Sequence, residues 1–336
     1  MLRQFLLGIG ICLFLPLQAV ASPPNVAVDI APVHSLVTQV MQGIGEPDLI
    51  IRPGASPHSY SLRPSEAEAL SRADVVFWVG EELTPWLAAP LTNLASTANK
   101  VALLEVSGIT LHNFRDGATF EAHDHHDNEH GHKDEHGHDD DEHAHEDEHG
   151  HNNDEHAHED EHAHGEHDPH AWLDPENAKV WLQVIAKELS RVDADNASTY
   201  QGNAENAVAE LDKLITAIDE RTKELHDIKF IVFHDAYQYF ERRFDVQATG
   251  AISISDASDP SPARVREIRD TVTDLGVRCV FTEPQYNPEM VKAVFESTRV
   301  DTIGVMDPLG AHIATGANHY SELLKALVSS ISQCPG

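Results

Sequence analysis

The sequence predicts an α/β protein of two lobes, each a parallel sheet flanked by helices, joined by one long linking helix. Three observations carry that prediction. Apolar, β-rich runs alternate with helix-compatible sequence, an unbroken helical pattern separates two such regions, and the 336-residue chain is long enough for two domains of ordinary size.

The first element is a leader. Arg3, the apolar stretch 5–17 and Ala19-Val20-Ala21 before Ser22 read as a secretory signal cut after Ala21. The apolar stretch is shorter than the roughly 20 residues a spanning helix needs, and Ile11 stands where a lipoprotein signal at Cys12 would want a small residue. No other segment is long and apolar enough to span a bilayer, so the sequence predicts an exported chain without stable membrane insertion or a lipid anchor.

The strand candidates are 26–30, 75–79, 230–233, 277–281 and 302–306, each followed by helix-compatible sequence. Helix starts are marked at Ser65-Glu66, Ser261-Pro262 and Asn287-Pro288, and Gly276 ends the helix that Pro262 begins. Between 196 and 225 there is no Pro and only Gly202, while Val208, Leu211, Leu214, Ile215, Ile218 and Leu225 recur at helical spacing. This predicts a linking helix at 196–226 between an N-terminal lobe, 22–195, and a C-terminal lobe, 227–336.

Residues 121–167 interrupt the N-terminal lobe. They lack a hydrophobic pattern and repeat units such as Asp-Glu-His-Ala-His, which predicts a low-complexity insertion, disordered without metal. The segment holds 19 acidic residues against one Lys, more than half of the chain's formal charge of −33. That balance argues against binding nucleic acid or an anionic membrane and suits cation attraction. Removing the leader leaves Cys279 and Cys334, for which one disulfide is the expectation in an oxidising compartment. Two free or metal-binding thiols are the alternative that spacing leaves open.

Sixteen of the 24 histidines lie in the insertion: His123, His125, His126, His130, His132, His136, His138, His143, His145, His149, His151, His156, His158, His162, His164 and His167. Neutral imidazole suits zinc, copper and nickel, and neighbouring carboxylates add oxygen ligands or orienting partners. Such a chain would hold several ions weakly, would not choose among them, and would release them as pH falls toward 6.5. The bland reading is a solvated acidic tract. Of the other eight, His58, His170 and His234 stand where a strand ends or a helix begins, the positions from which side chains of open α/β layers converge on a ligand. His34, His226, His312 and His319 read as structural, and His112 lies close enough to the insertion to join it.

The runs His58-Ser-Tyr-Ser-Leu-Arg-Pro64, Asp168-Pro-His-Ala-Trp-Leu-Asp-Pro175, Phe233-His-Asp-Ala-Tyr237 and Met306-Asp-Pro-Leu-Gly310 occur in that order. Together they resemble the ZnuA-like, zinc-binding branch of the cluster 9 solute-binding subunits of bacterial ABC importers, over nearly the whole chain outside the insertion. The resemblance implies a monomeric periplasmic protein that holds one Zn2+ tightly between its lobes and delivers it to a membrane permease with its ATPase. It implies ligands at His58, His170 and His234 and a carboxylate near Asp307. Related manganese binders carry an acidic residue where this chain has His234, and three imidazoles favour zinc. Some zinc members place Glu just before the first ligand where this chain has Pro57, so the fourth position falls to Asp307 or water.

Three other readings belong beside this one. A metallohydrolase can use three histidines and an open position, but the chain has no His-Glu-x-x-His, no Gly-x-Ser-x-Gly and no phosphate loop. Glu283, after a strand, is a candidate base but reads as a turn or surface residue, so the sequence predicts no enzyme. A surface adhesin fits poorly without a lipid signal. A periplasmic metal buffer or chaperone, or a manganese-type importer subunit, is the remaining alternative.

Overall fold

Parallel strands buried on both faces need continuous apolar runs, and Val26–Val28 and Val75–Trp78 supply them at the centre of the first sheet. These are β1 and β3. With β2 (Asp48–Leu49) and β4 (Asn99–Ala102) they form a parallel sheet in the order β2-β1-β3-β4. The second sheet repeats the plan with β5 (Phe230–His234), β6 (Gly250–Ser253), β7 (Cys279–Thr282) and β8 (Thr302–Val305) in the order β6-β5-β7-β8. All five strand candidates are present, and β2, β4 and β6 are additional. This computed structural model describes residues 22–335 except 116, 118, 121–166, 254–260, 287, 297, 299 and 301. The leader at 1–21, Asn287, and the insertion with every one of its histidines but His167 lie outside the described residues.

Nine helices are described: α1 (Ala31–Val40), α2 (Pro64–Arg72), α3 (Ala88–Asn93), α4 (Pro175–Val192), α5 (Ala197–Thr222), α6 (Gln238–Phe244), α7 (Pro262–Leu275), α8 (Pro288–Phe295) and α9 (His319–Ile331). Their ends follow local chemistry. Ser261 caps α7 by accepting the Arg264 N–H at 3.2 Å, and Gly276 closes it with φ 66°. At α2, Glu66 reaches back to the Arg63 N–H at 2.7 Å, so the helix begins at Pro64, a residue before the Ser65 mark.

The long helix α5 links the lobes and buries Leu211, Leu214 and Ile218. It ends at Thr222, short of the expected 226, because Leu225 tucks under through a tight turn, its N–H donating to the Thr222 carbonyl at 2.8 Å. The last helix, α9, returns to pack on α1 and α5, where Ser35 Oγ bonds both the Ala317 carbonyl at 2.9 Å and the Tyr320 N–H at 3.1 Å. Cys279 of β7 and Cys334 beyond α9 form a disulfide with Cα atoms 5.7 Å apart, which ties the tail to a central strand as expected. Among the described residues no helix is long and apolar enough to cross a membrane.

Candidate metal centre

The order β6-β5-β7-β8 reverses direction between β5 and β7, and such a switch point opens a crevice at the carboxyl ends of the strands. His234 is the last residue of β5 and Glu283 the first after β7. Glu283 Oε1 accepts from His234 Nδ1 at 2.6 Å, both side chains 2% exposed. Glu283 is therefore not the surface or turn residue that its sequence position suggests.

His170 precedes a 3-10 turn, Ala171–Leu173, whose Trp172 is fully buried and donates its indole N–H to the Pro308 carbonyl at 2.8 Å. Asp168, also fully buried, accepts His170 Nδ1–H at 2.6 Å and the His170 backbone N–H at 3.0 Å. Burial pushes the Asp168 carboxyl up, but the His170 charge and the hydrogen bonds to it, with one from Gln238, outweigh burial and hold it below the usual carboxylate range. His58 projects from the irregular loop between β2 and α2. That loop is pinned where Trp86 Nε1 donates to the Pro57 carbonyl at 2.7 Å and where Tyr60 packs on Trp86 and donates to Glu66 at 2.8 Å.

The three histidines converge. A ligand nitrogen of each lies within 4.8 Å of the others, and this is the group of metal-capable side chains found among the described residues. His170 Nε2 and His234 Nε2 face each other at 3.3 Å. When both rings are neutral with Nδ1–H donated to carboxylates, each Nε2 directs a lone pair at the other, an arrangement that a shared cation, proton or metal ion, satisfies. Two imidazole nitrogens on one tetrahedral zinc, with bonds of roughly 2.05 Å, stand about 3.3 Å apart. The donor set thus fits a borderline divalent cation on geometry and on tautomer.

Asp307 lies outside that group. Its two carboxylate oxygens accept the backbone N–H of Leu309 at 2.9 Å and of Ala311 at 2.5 Å, which builds the turn before α9. Tyr237 is buried near both Glu283 and Asp307; burial first, then those charges, raise its phenol well above the usual value, so it stays neutral and donates to the Met306 carbonyl at 2.9 Å.

Five other histidines have partners of their own. His34 Nε2 bonds the Pro47 carbonyl at 3.0 Å, His226 pairs with Asp245 at 2.9 Å, and buried His319 bonds the Leu309 carbonyl at 2.8 Å. His112 packs on Tyr239 with ring centres 4.7 Å apart. His167, at the base of the insertion, bonds Asn113 Oδ1 at 2.8 Å. Sequence reasoning missed Asp168 as an orienting carboxylate and set Glu283 aside as a turn or surface residue. Asp168, two residues before a ligand candidate inside a quoted motif, carried a readable signal; Glu283, 49 residues from its partner, did not.

Residues 26–334 match the family described as ZnuA, the periplasmic zinc-uptake complex component A. The chain belongs to this family. It is 47% identical over 310 residues to the high-affinity zinc uptake system protein ZnuA of Brucella abortus, covering 92% of this chain and 91% of that protein. Against the protein of the same name from Paracoccus denitrificans it is 44% identical over 324 residues, covering 95% and 94%. A crystal structure of ZnuA superposes with a TM-score of 0.70 at 21% identity, covering 93% of this chain and 99% of that one, a likeness of fold.

Proposed function

We propose that this chain is the zinc carrier of an ABC importer: it captures Zn2+ in the periplasm between its lobes and yields it to a membrane permease coupled to an ATPase. Its family and its relatives' names as high-affinity zinc uptake proteins support that reading. The observation that carries it is the pair of Nε2 atoms 3.3 Å apart, on rings each oriented by a buried carboxylate at Nδ1. His58, His170 and His234 are the proposed ligands. Water takes the fourth position, with Asp307 the alternative, since that carboxylate already serves two backbone amides.

Only metal–ligand bonds are made and broken in this role; the ion is cargo, and release follows docking. The chain acts as a monomer, its leader removed after Ala21. The histidines of the insertion collect ions for the interlobe site. Three nitrogen donors favour zinc over manganese, whose preference is for oxygen.

Calorimetry on the mature protein lacking residues 121–166 tests this division. One tight zinc per chain should remain, and His58→Ala should abolish it. Loss of the tight site on removing the insertion, or a tight site indifferent to His58→Ala, would sink the reading.

A further inference from the structure

We propose that Arg115, on the arm leading into the acidic insertion, is a positioning residue for the zinc site: it braces the backbone that carries His234 against the segment that carries His170, and so slows release of the ion. The proposal rests on the three-histidine reading above.

Arg115 is 10% exposed, and its guanidinium bonds two carboxylates at once. Nε bonds both oxygens of Asp235 at 3.0 Å, Nη2 also meets Asp235, and Nη1 and Nη2 bond the two oxygens of Glu241 at 2.7 and 3.0 Å. The Phe120 ring lies 3.6 Å beneath it. Asp235 is the residue after His234, so a rigid two-pronged grip on its carboxylate fixes the peptide from which the His234 ring projects.

The same arm holds the other ligand. The His112 carbonyl accepts the Asp168 N–H at 2.8 Å, Asn113 bridges His167, and Asp168 orients His170. Gln238 of α6 closes the frame with one amide nitrogen, bonding the Asn113 carbonyl at 2.9 Å and Asp168 Oδ2 at 2.8 Å. Farther along, Phe120 N–H donates to the Thr249 carbonyl at 2.9 Å and Thr119 pairs with Gly250 on β6. A segment that belongs to the N-terminal lobe by sequence is thus laid along the edge of the second sheet, and ligands on opposite sides of the crevice share one brace.

Two nitrogens held 3.3 Å apart stay matched to an ion only while the peptides behind them are held. Removing the fork leaves Asp235 and Glu241 buried together, and their repulsion acts directly on the turn after His234. Contacts made directly to a ligating side chain are worth about 10- to 100-fold in metal affinity, and a brace one residue removed from the ligand acts at the lower end of that range.

The test follows zinc leaving the full mature protein into excess chelator by stopped flow, where the interlobe ion is the slow phase. Arg115→Lys keeps the charge but not the fork, and Arg115→Met combined with Glu241→Gln removes the cation and one of its two acids, leaving Asp235 buried without its partner. Val272→Ala, a cavity variant on the buried face of α7 in the core of the second lobe, serves as the stability control. The slow phase should accelerate about tenfold in Arg115→Lys and further in the double variant, with a broadened cobalt absorption spectrum, while Val272→Ala lowers the melting temperature of the metal-free protein and leaves the slow phase alone. Unchanged release from Arg115→Lys, or equal acceleration by Val272→Ala, would overturn the proposal. Absence of any slow single-ion phase in the unaltered protein would overturn the three-histidine site itself, and the brace with it.

Discussion

Asp168→Asn is the sharpest test of the site, because it alters one atom and the structure dictates what must follow. Asp168 Oδ1 accepts two N–H groups of His170, and Oδ2 accepts Gln238 at 2.8 Å. An introduced amide can face either way. With its oxygen toward His170, its NH2 opposes the NH2 of Gln238; turning Gln238 over sets its oxygen against the Asn113 carbonyl, now 2.9 Å from the Gln238 nitrogen. With its NH2 toward His170, it opposes the backbone N–H and obliges Nδ1 to accept, which moves the ring proton to Nε2 and removes the lone pair meant for zinc. The first orientation costs about 1–3 kcal/mol of folding stability. The second costs affinity, about 10- to 100-fold, or roughly 1.4–2.7 kcal/mol. Competition with a chromophoric chelator measures the affinity, and urea unfolding of the metal-free protein measures the stability. If both quantities match those of the unaltered protein, the tautomer argument is wrong.

Other expectations follow from single features. Cys334→Ser opens a loop of 55 residues and should lower unfolding free energy by about 4 kcal/mol, read by denaturant melts with and without reductant. Asp29 is fully buried where it bridges the Ile30 and Val79 amides, and burial, opposed by those bonds, raises its carboxyl from 3.8 to about 7. Between those values the folded chain keeps a proton that the unfolded chain has lost, so this group's contribution is full in acid and falls by about 3 kcal/mol as pH rises from 4 to 7. Urea melts across that range should show the advantage of the unaltered protein over Asp29→Asn shrinking as pH rises. Removing residues 121–166 should lower the number of zinc ions bound at millimolar concentration in equilibrium dialysis while leaving the submicromolar isotherm in place.

What the sequence revealed and what it hid both follow from where the information resides. Val26–Val28, Val75–Trp78 and Phe230–His234 are central strands, and their continuous apolar runs are the local imprint of burial on both faces. The strands it missed, β2, β4 and β6, are edges of their sheets. Two residues suffice for β2, β4 is half exposed, and the Gly-Ala-Ile-Ser of β6 carries too little apolar mass to stand out. The same division holds at the site. His58, His170 and His234 could be picked out by motif, but motifs name ligands and leave their orientation unstated.

The missing quantity is strand order. Once β5 and β7 are known to be neighbours in the register that pairs Phe230 with Cys279, Glu283 follows, because the first residue beyond β7 then lies beside the last residue of β5, where its carboxylate reaches the His234 ring. Arg115 needs one further fact, that the arm before the insertion crosses to the edge of the second sheet, and that crossing is fixed by contacts spanning 120 residues or more. Metal chemistry was therefore legible in residue types, while the contacts that orient His170 and His234 come from carboxylates, and the proposed brace from a guanidinium, whose partners are set only after the two lobes are assembled.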